Sequence, residues 1–189
     1  MSMSSDLKKW LEKDGEEFLK DIGIKNGQVV FDFGCNRGHY TIPAAKVVGK
    51  NGKVYAFDKD KDALSELEGT IKNFGLKNIQ LINDNTKIPL EDNSVDTVLC
   101  YDVIHYMNRE GRDIVYKEIF RILMKEGIFS IYPKHHKEDY PLNELADVSL
   151  GEVIEKIENA GFTLAHKFSR ELLHNEDYNK GYVCNFKKK

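Results

Sequence analysis

The 189-residue chain is short of the residues that cross-link or punctuate small folds, with three cysteines and four prolines. Cys35, Cys100 and Cys184 are odd in number, far apart and never form a CxxC, which excludes a disulfide framework and a zinc knuckle and fits a reducing cytosol. No apolar run approaches the roughly 18 residues that a membrane span requires, and MSMSSDLKKWLEKDGEEF holds no apolar core of signal-peptide length. A soluble, cytoplasmic protein without a membrane partner is expected. Charge of one sign is also missing: 28 Lys+Arg against 31 Asp+Glu leave −3, so a general grip on nucleic acid has no support. Repeats, linkers and low-complexity tracts are absent, and the terminal Lys187-Lys188-Lys189 reads as a solvated tail. What is present, 41% hydrophobic and 31% charged residues, is the composition of one globular domain over residues 1–189.

Leu7, Trp10, Leu11 and Phe18 recur at helical spacing and predict an amphipathic helix from Ser5 to Leu19. Beyond it the pattern alternates. Strands are predicted at Val29 to Phe33, Lys53 to Asp58, Ile79 to Ile82, Val95 to Cys100 and Gly127 to Tyr132. Helices are predicted at Tyr40 to Val48, Asp62 to Phe74 and Glu110 to Lys125. This alternation argues for a doubly wound α/β fold whose ligands sit beyond the carboxyl ends of the strands. A polar loop from Pro133 to Asn143, a helix from Ser149 to Asn159 and strands at Phe162 to Phe168 and Gly181 to Phe186 complete the chain. The link between those last strands is too short for a crossover helix, which makes them an antiparallel pair at a sheet edge.

The strongest local feature is Asp32-Phe33-Gly34-Cys35-Asn36-Arg37-Gly38, a strand running into a glycine-flanked turn that opens a helix. Gly34 and Gly38 allow the backbone to approach a ligand and pack the helix on the strand. Two further acids, Asp58 and Asp84, stand at the ends of the next two strands. A carboxylate in the position of Asp58 accepts both hydroxyls of a ribose, while Asp84 suits an exocyclic amine such as adenine's, with Asn85 and Thr86 beside it. A dinucleotide fingerprint would need glycines where Asn36 and His39 stand. Asp32 would repel a phosphate and suits a ligand carrying an ammonium and a sulfonium.

These residues resemble the first motif of class I S-adenosylmethionine-dependent methyltransferases. Val54-Tyr55-Ala56-Phe57-Asp58 looks like the second motif and Asn83-Asp84 the third. Ile88 to Asp96, followed by Tyr101-Asp102-Val103-Ile104-His105, is similar to the branch called methyltransferase type 11, often small-molecule enzymes. The resemblance implies a Rossmann-like three-layer sandwich with a seven-stranded, mostly parallel sheet in the order 3-2-1-4-5-7-6 and strand 7 antiparallel. The core would be residues 21–186, with 1–20 as an N-terminal helix or lid. It implies that S-adenosyl-L-methionine is the cofactor, held by Asp32, Gly34, Asn36, Gly38, Asp58, Lys59, Asp84, Asn85 and Tyr101. Asn36 departs from the family pattern, which usually has glycine there. Asn tolerates a left-handed backbone better than most residues, so the turn is expected to survive.

Methyl transfer is a direct displacement that needs alignment more than a nucleophilic side chain. The expected partner is a small-molecule methyl acceptor, and no metal is expected. Catalytic residues are unassigned; His105, His135 and Tyr101 are the candidates, with His136 beside the second. For His105 a packed, hydrogen-bonded histidine is the favoured alternative, and for His135-His136 in the charged run Lys134 to Asp139 a solvated loop. Tyr101, Tyr132 and Tyr140 are candidates for an acceptor pocket or simply core and rim, and the three cysteines read as buried apolar groups. An NAD(P)-dependent oxidoreductase and a non-catalytic cofactor-binding subunit remain as alternatives. The expected assembly is a monomer or a homodimer.

Overall fold

The computed structural model describes residues 3–84, 87–139, 142 and 147–188. Seven strands, β1 Val29–Phe33, β2 Lys53–Asp58, β3 Ile79–Asn83, β4 Val95–Tyr101, β5 Leu123–Tyr132, β6 Phe162–His174 and β7 Asp177–Lys188, form one sheet in the order β3-β2-β1-β4-β5-β7-β6. That is the order implied by the resemblance. The flanking helices are α1 Ser5–Lys9, α2 Gly15–Asp21, α3 Thr41–Val48, α4 Lys61–Asn73, α5 Arg109–Ile122 and α6 Leu150–Asn159. Among the described residues no helix is long and apolar enough to cross a membrane.

The chain forms two compact units, Met1–Ile88 with Leu172–Asn179, and Pro89–Glu171 with Lys180–Lys189. In the first, β2 runs parallel between β1 and β3, pairing Asp32 with Ala56 and Asp58 with Asn83. Parallel strands buried on both faces need continuous apolar runs, and Val30, Phe31, Val54 and Ala56 are wholly buried. Asp60 caps α4 by accepting from the amides of Asp62 and Ala63. The N-terminal segment is helical as expected, with a π-helical turn at Trp10–Asp14 joining α1 to α2. It packs Trp10, Phe18 and Leu19 into the core, and the Trp10 indole N–H donates to the His39 carbonyl at 2.8 Å, next to Gly38.

In the second unit β4 and β5 are parallel, with an irregularity in the register between Val95 and Thr97. β7 runs antiparallel to β5, pairing Phe129 with Phe186. Phe129, Phe162 and Phe186 pack together in its core. Ser149 and Glu152 form a reciprocal capping box at the start of α6.

Three boundaries differ from the sequence reading. Leu123 to Lys125, expected to end the helix that starts at Glu110, begin β5 instead, because Leu123 pairs with Val95 and α5 ends at Ile122. β6 and β7 are far longer than expected and only Asn175 and Glu176 separate them. Asn175, with φ 57, takes the left-handed backbone that a tight turn demands. The polar stretch between Phe168 and Gly181 is therefore mostly strand, with Leu172 and Leu173 buried and its other residues exposed or half-buried.

Candidate functional site

In the first unit the chain leaves β1 through a turn with Gly34 at φ 74, Asn36 at φ 46 and Gly38 at φ 86. Asn36 thus adopts the left-handed backbone expected of it. The Gly34 and Cys35 amides both donate to the Phe57 carbonyl, at 2.9 and 3.1 Å, which ties the turn to the end of β2. Gly38 N–H closes it by donating to the Cys35 carbonyl at 2.8 Å. A Cβ on Gly38 would lie 2.2 Å from Leu67 Cδ1 on α4, so glycine here serves helix packing as well as backbone freedom.

Asp58 is held by its carboxylate. Its Oδ2 accepts from the Asn36 amide at 2.8 Å and its Oδ1 from the Asp60 amide at 2.9 Å. Since a carboxylate has about four acceptor positions, two remain for a ligand's hydroxyls. Asn83, the first residue of the Asn83-Asp84 motif, donates to the carbonyls of Asp58 and Lys59 at 3.0 and 3.1 Å and ties the β3 end to the β2 end. The Lys59 side chain is exposed and Asp84 is half-buried directly after β3, while Asn85, Thr86 and Tyr140 lie outside the described residues.

Asp32 is 3% exposed, and its Oδ2 accepts from the Thr41 hydroxyl at 2.5 Å. Burial pushes its carboxyl up to about 7, with the Asp58 charge adding to the rise and the Thr41 hydrogen bond opposing it. Among the described residues no cationic side chain pairs with it. A buried carboxylate beside a glycine turn, near a second carboxylate, is a group poised for a cationic ligand. Cys35 is buried and its thiol is pushed far up by the same desolvation, which agrees with an inert apolar role.

The second unit gathers the catalytic candidates at the ends of β4 and β5. Tyr101 is buried, and its hydroxyl lies 2.6 Å from Ser130 Oγ, which in turn donates to Asn185 Oδ1. Asp102 follows at φ 56, its N–H donating to the Tyr132 carbonyl at 2.9 Å. The His105 side chain is 4% exposed, with Nδ1 3.7 Å from Asp102 Oδ1. His135, at φ 60, stands with its ring centroid 4.3 Å from that of His105.

The expectation of a solvated loop around His135 and His136 is overturned. Lys134, His135, His136 and Asp139 are all buried. Lys134 Nζ pairs with Asp139 Oδ1 at 2.5 Å and donates to the Lys180 carbonyl at 3.1 Å, and the other Asp139 oxygen accepts from the His135 amide at 2.7 Å. Two opposite charges neutralise each other inside, so a run that looks hydrophilic folds inward. His136 sits with Nδ1 3.0 Å from Glu138 Oε2. A separate cavity of about 150 Å³ between α5 and α6, lined by Arg112, Tyr116 and Val153 among others, holds none of these residues.

A family model described as a methyltransferase domain matches residues 24–178. The chain belongs to the methyltransferase domain family. It is 30% identical to a sterol 24-C-methyltransferase of Aspergillus fumigatus over 184 residues, covering 82% of this chain and 43% of that protein. It is 32% identical to a demethylmenaquinone methyltransferase of a Geobacillus species over 115 residues, covering 59% of this chain and 47% of the relative. The chain thus spans less than half the length of these curated relatives. Among solved structures, a SAM-dependent methyltransferase from Aquifex aeolicus superposes with a TM-score of 0.74 at 27% identity, over 94% of this chain and 92% of that one. The PH0226 protein of Pyrococcus horikoshii shares the fold with a TM-score of 0.77 at 20% identity, over 98% and 92%.

Within this family Asn36 is a test of the turn. Because it already holds φ 46, Asn36→Gly is expected to keep the fold and to keep or raise cofactor affinity, measured by calorimetry. Loss of binding would mean that the Asn36 side chain itself builds the pocket.

Proposed function

We propose that the chain transfers a methyl group from S-adenosylmethionine to a small-molecule acceptor by direct displacement. The observation that carries this reading is the buried, cation-seeking Asp32 at a glycine turn, with Asp58 one strand over. Family membership and the sterol and demethylmenaquinone methyltransferases among the relatives support it.

In this proposal Asp32 faces the ammonium end of the methionine moiety, with Gly34, Asn36 and Gly38 leaving room for its backbone-like atoms. Asp58 receives the ribose hydroxyls on its two remaining acceptor positions, with Lys59 beside it. Asp84 and Asn85 take the adenine amine and ring edge. When bound, S-adenosylmethionine supplies a methyl group on a positively charged sulfur. The chain's own residues then contribute placement and exclusion of water, which is where most of the rate of a displacement is gained. The protein acts in this reading as a monomer or homodimer in the cytoplasm.

Asp58→Ala tests the ribose assignment. It removes charge-assisted bonds of about 1.5–3 kcal/mol, so affinity for S-adenosylhomocysteine is expected to fall roughly 10- to 150-fold by calorimetry. Unchanged affinity would place the ribose elsewhere.

A further inference from the structure

The cavity between α5 and α6 lies wholly in the second unit and plays no part in the methyl-transfer reading. From α5 come Arg109, Arg112, Asp113 and Tyr116, whose helical spacing puts them on one face. Val148, just before α6, and Val153 within it add apolar wall. We propose that this cavity binds a small, neutral, ring-sized molecule carrying one hydrogen-bond-accepting oxygen, such as a cyclic ketone, ester or amide.

Size comes first. A volume of about 150 Å³ admits one ring of about six heavy atoms and little more. The second observation is an orphaned donor. Tyr116 is 1% exposed, and its hydroxyl has no hydrogen-bond partner among the described residues. A long side chain on a helix leans over the preceding turn, which for Tyr116 is the turn of Arg112 and Asp113, and the charges of both act on its hydroxyl. Burial pushes the pKa of that hydroxyl far up, so it stays protonated and keeps a hydrogen to donate. A buried hydroxyl without a partner costs stability, and an acceptor oxygen brought by a ligand removes that cost. Arg112, 4% exposed, donates to the Met107 carbonyl at 2.9 Å and to the two Asp147 oxygens at 3.0 and 2.8 Å. A guanidinium has five N–H groups, so donors remain beside the same cavity.

Charge balance is the third observation. Asp147 neutralises Arg112, Glu152 lies 3.8 Å from Arg109, and Asp113 lies 3.4 Å from Lys156. Each of these cations already faces an acid. A ligand carboxylate or phosphate would find no unmatched positive charge here and would be repelled by Asp113 and Glu152, while a ligand ammonium would meet two donors in Tyr116 and Arg112. A neutral acceptor satisfies the orphaned hydroxyl without either penalty.

Cyclohexanone, methylenecyclohexane, cyclohexanecarboxylate and cyclohexylammonium serve as probes, followed through the amide ¹H–¹⁵N resonances of Tyr116 and Val153 in the whole protein without cofactor. Cyclohexanone is expected to shift both resonances saturably and to bind about tenfold more tightly than methylenecyclohexane, which has the same shape without the oxygen, and more tightly than either charged probe. Tyr116→Phe should erase the preference for the ketone while leaving the urea midpoint unchanged or raised, because the hydroxyl it removes has no partner in the protein. Val148→Phe, at a half-buried position outside the helix, should fill the cavity and abolish binding of both neutral probes. No saturable shift with any probe would show a cleft that holds water only and would overturn the proposal. So would tighter binding of a charged probe, a ketone preference that survives Tyr116→Phe, a lowered urea midpoint in that variant, or unchanged binding in Val148→Phe. None of these outcomes bears on S-adenosylmethionine binding, which is read separately in the first unit.

Discussion

Asp32→Asn is expected to lower affinity for S-adenosylmethionine by more than about 100-fold and, at pH 8, to raise the stability of the cofactor-free protein. Both halves follow from one carboxylate. A buried charge that loses its partner costs about 3–5 kcal/mol, and in the variant the ligand's ammonium is the charge left without one. Without ligand the carboxylate is a liability. It is buried, lies near Asp58 and, among the described residues, has the Thr41 hydroxyl as its side-chain hydrogen-bond donor. Its carboxyl takes up protons to about 7 in the folded state, against 3.8 as the ordinary value. Between those limits the folded protein binds a proton that the unfolded chain has released, so this group's contribution to stability falls as pH rises from about 4 to 7, by at most about 4 kcal/mol. The variant should flatten that part of the urea-melt profile, and wild-type affinity for the cationic ligand should weaken as pH falls below 7. A variant that binds normally, or a profile unchanged by the substitution, would remove Asp32 from the site.

Gly38→Ala has the second large effect. A side chain there must adopt φ 86 and place its Cβ 2.2 Å from Leu67 Cδ1, a fully buried side chain. Strain and overpacking together predict a loss of about 3 kcal/mol in urea denaturation. The same substitution in a Leu67→Ala background should cost less, because the clash is gone and only the backbone strain remains. Equal costs in both backgrounds would show that α4 does not press on this turn.

The parallel half of the fold was legible because its elements obey short rules. β2 runs from Lys53 to Asp58 as read, since a buried strand is a continuous apolar run bounded by glycine on one side and an acid on the other. The Gly34 to Gly38 turn was legible for the same reason, down to the left-handed Asn36. The edge was harder. Ser169 to Lys180 is polar, and an edge strand with one wet face carries the same composition as a loop. Leu123 extended a helical periodicity and was claimed for the strand only by its partner Val95. Lys134 and Asp139 were read as solvated because burial of charge depends on a partner that a turn brings back, and five residues of separation do not announce that turn. Asn83 is legible only as part of a motif and Thr41 not at all, because their roles are hydrogen bonds to neighbouring strand ends, invisible to any one-dimensional pattern.

Calorimetric titration of the wild-type protein and the Asp32→Asn variant with S-adenosylmethionine, S-adenosylhomocysteine and NAD tests the central claim most directly. The account predicts saturable one-to-one binding of the first two to the wild-type protein, none of NAD, and loss of both in the variant. Binding of NAD alone, or S-adenosylmethionine binding untouched by the substitution, would contradict it.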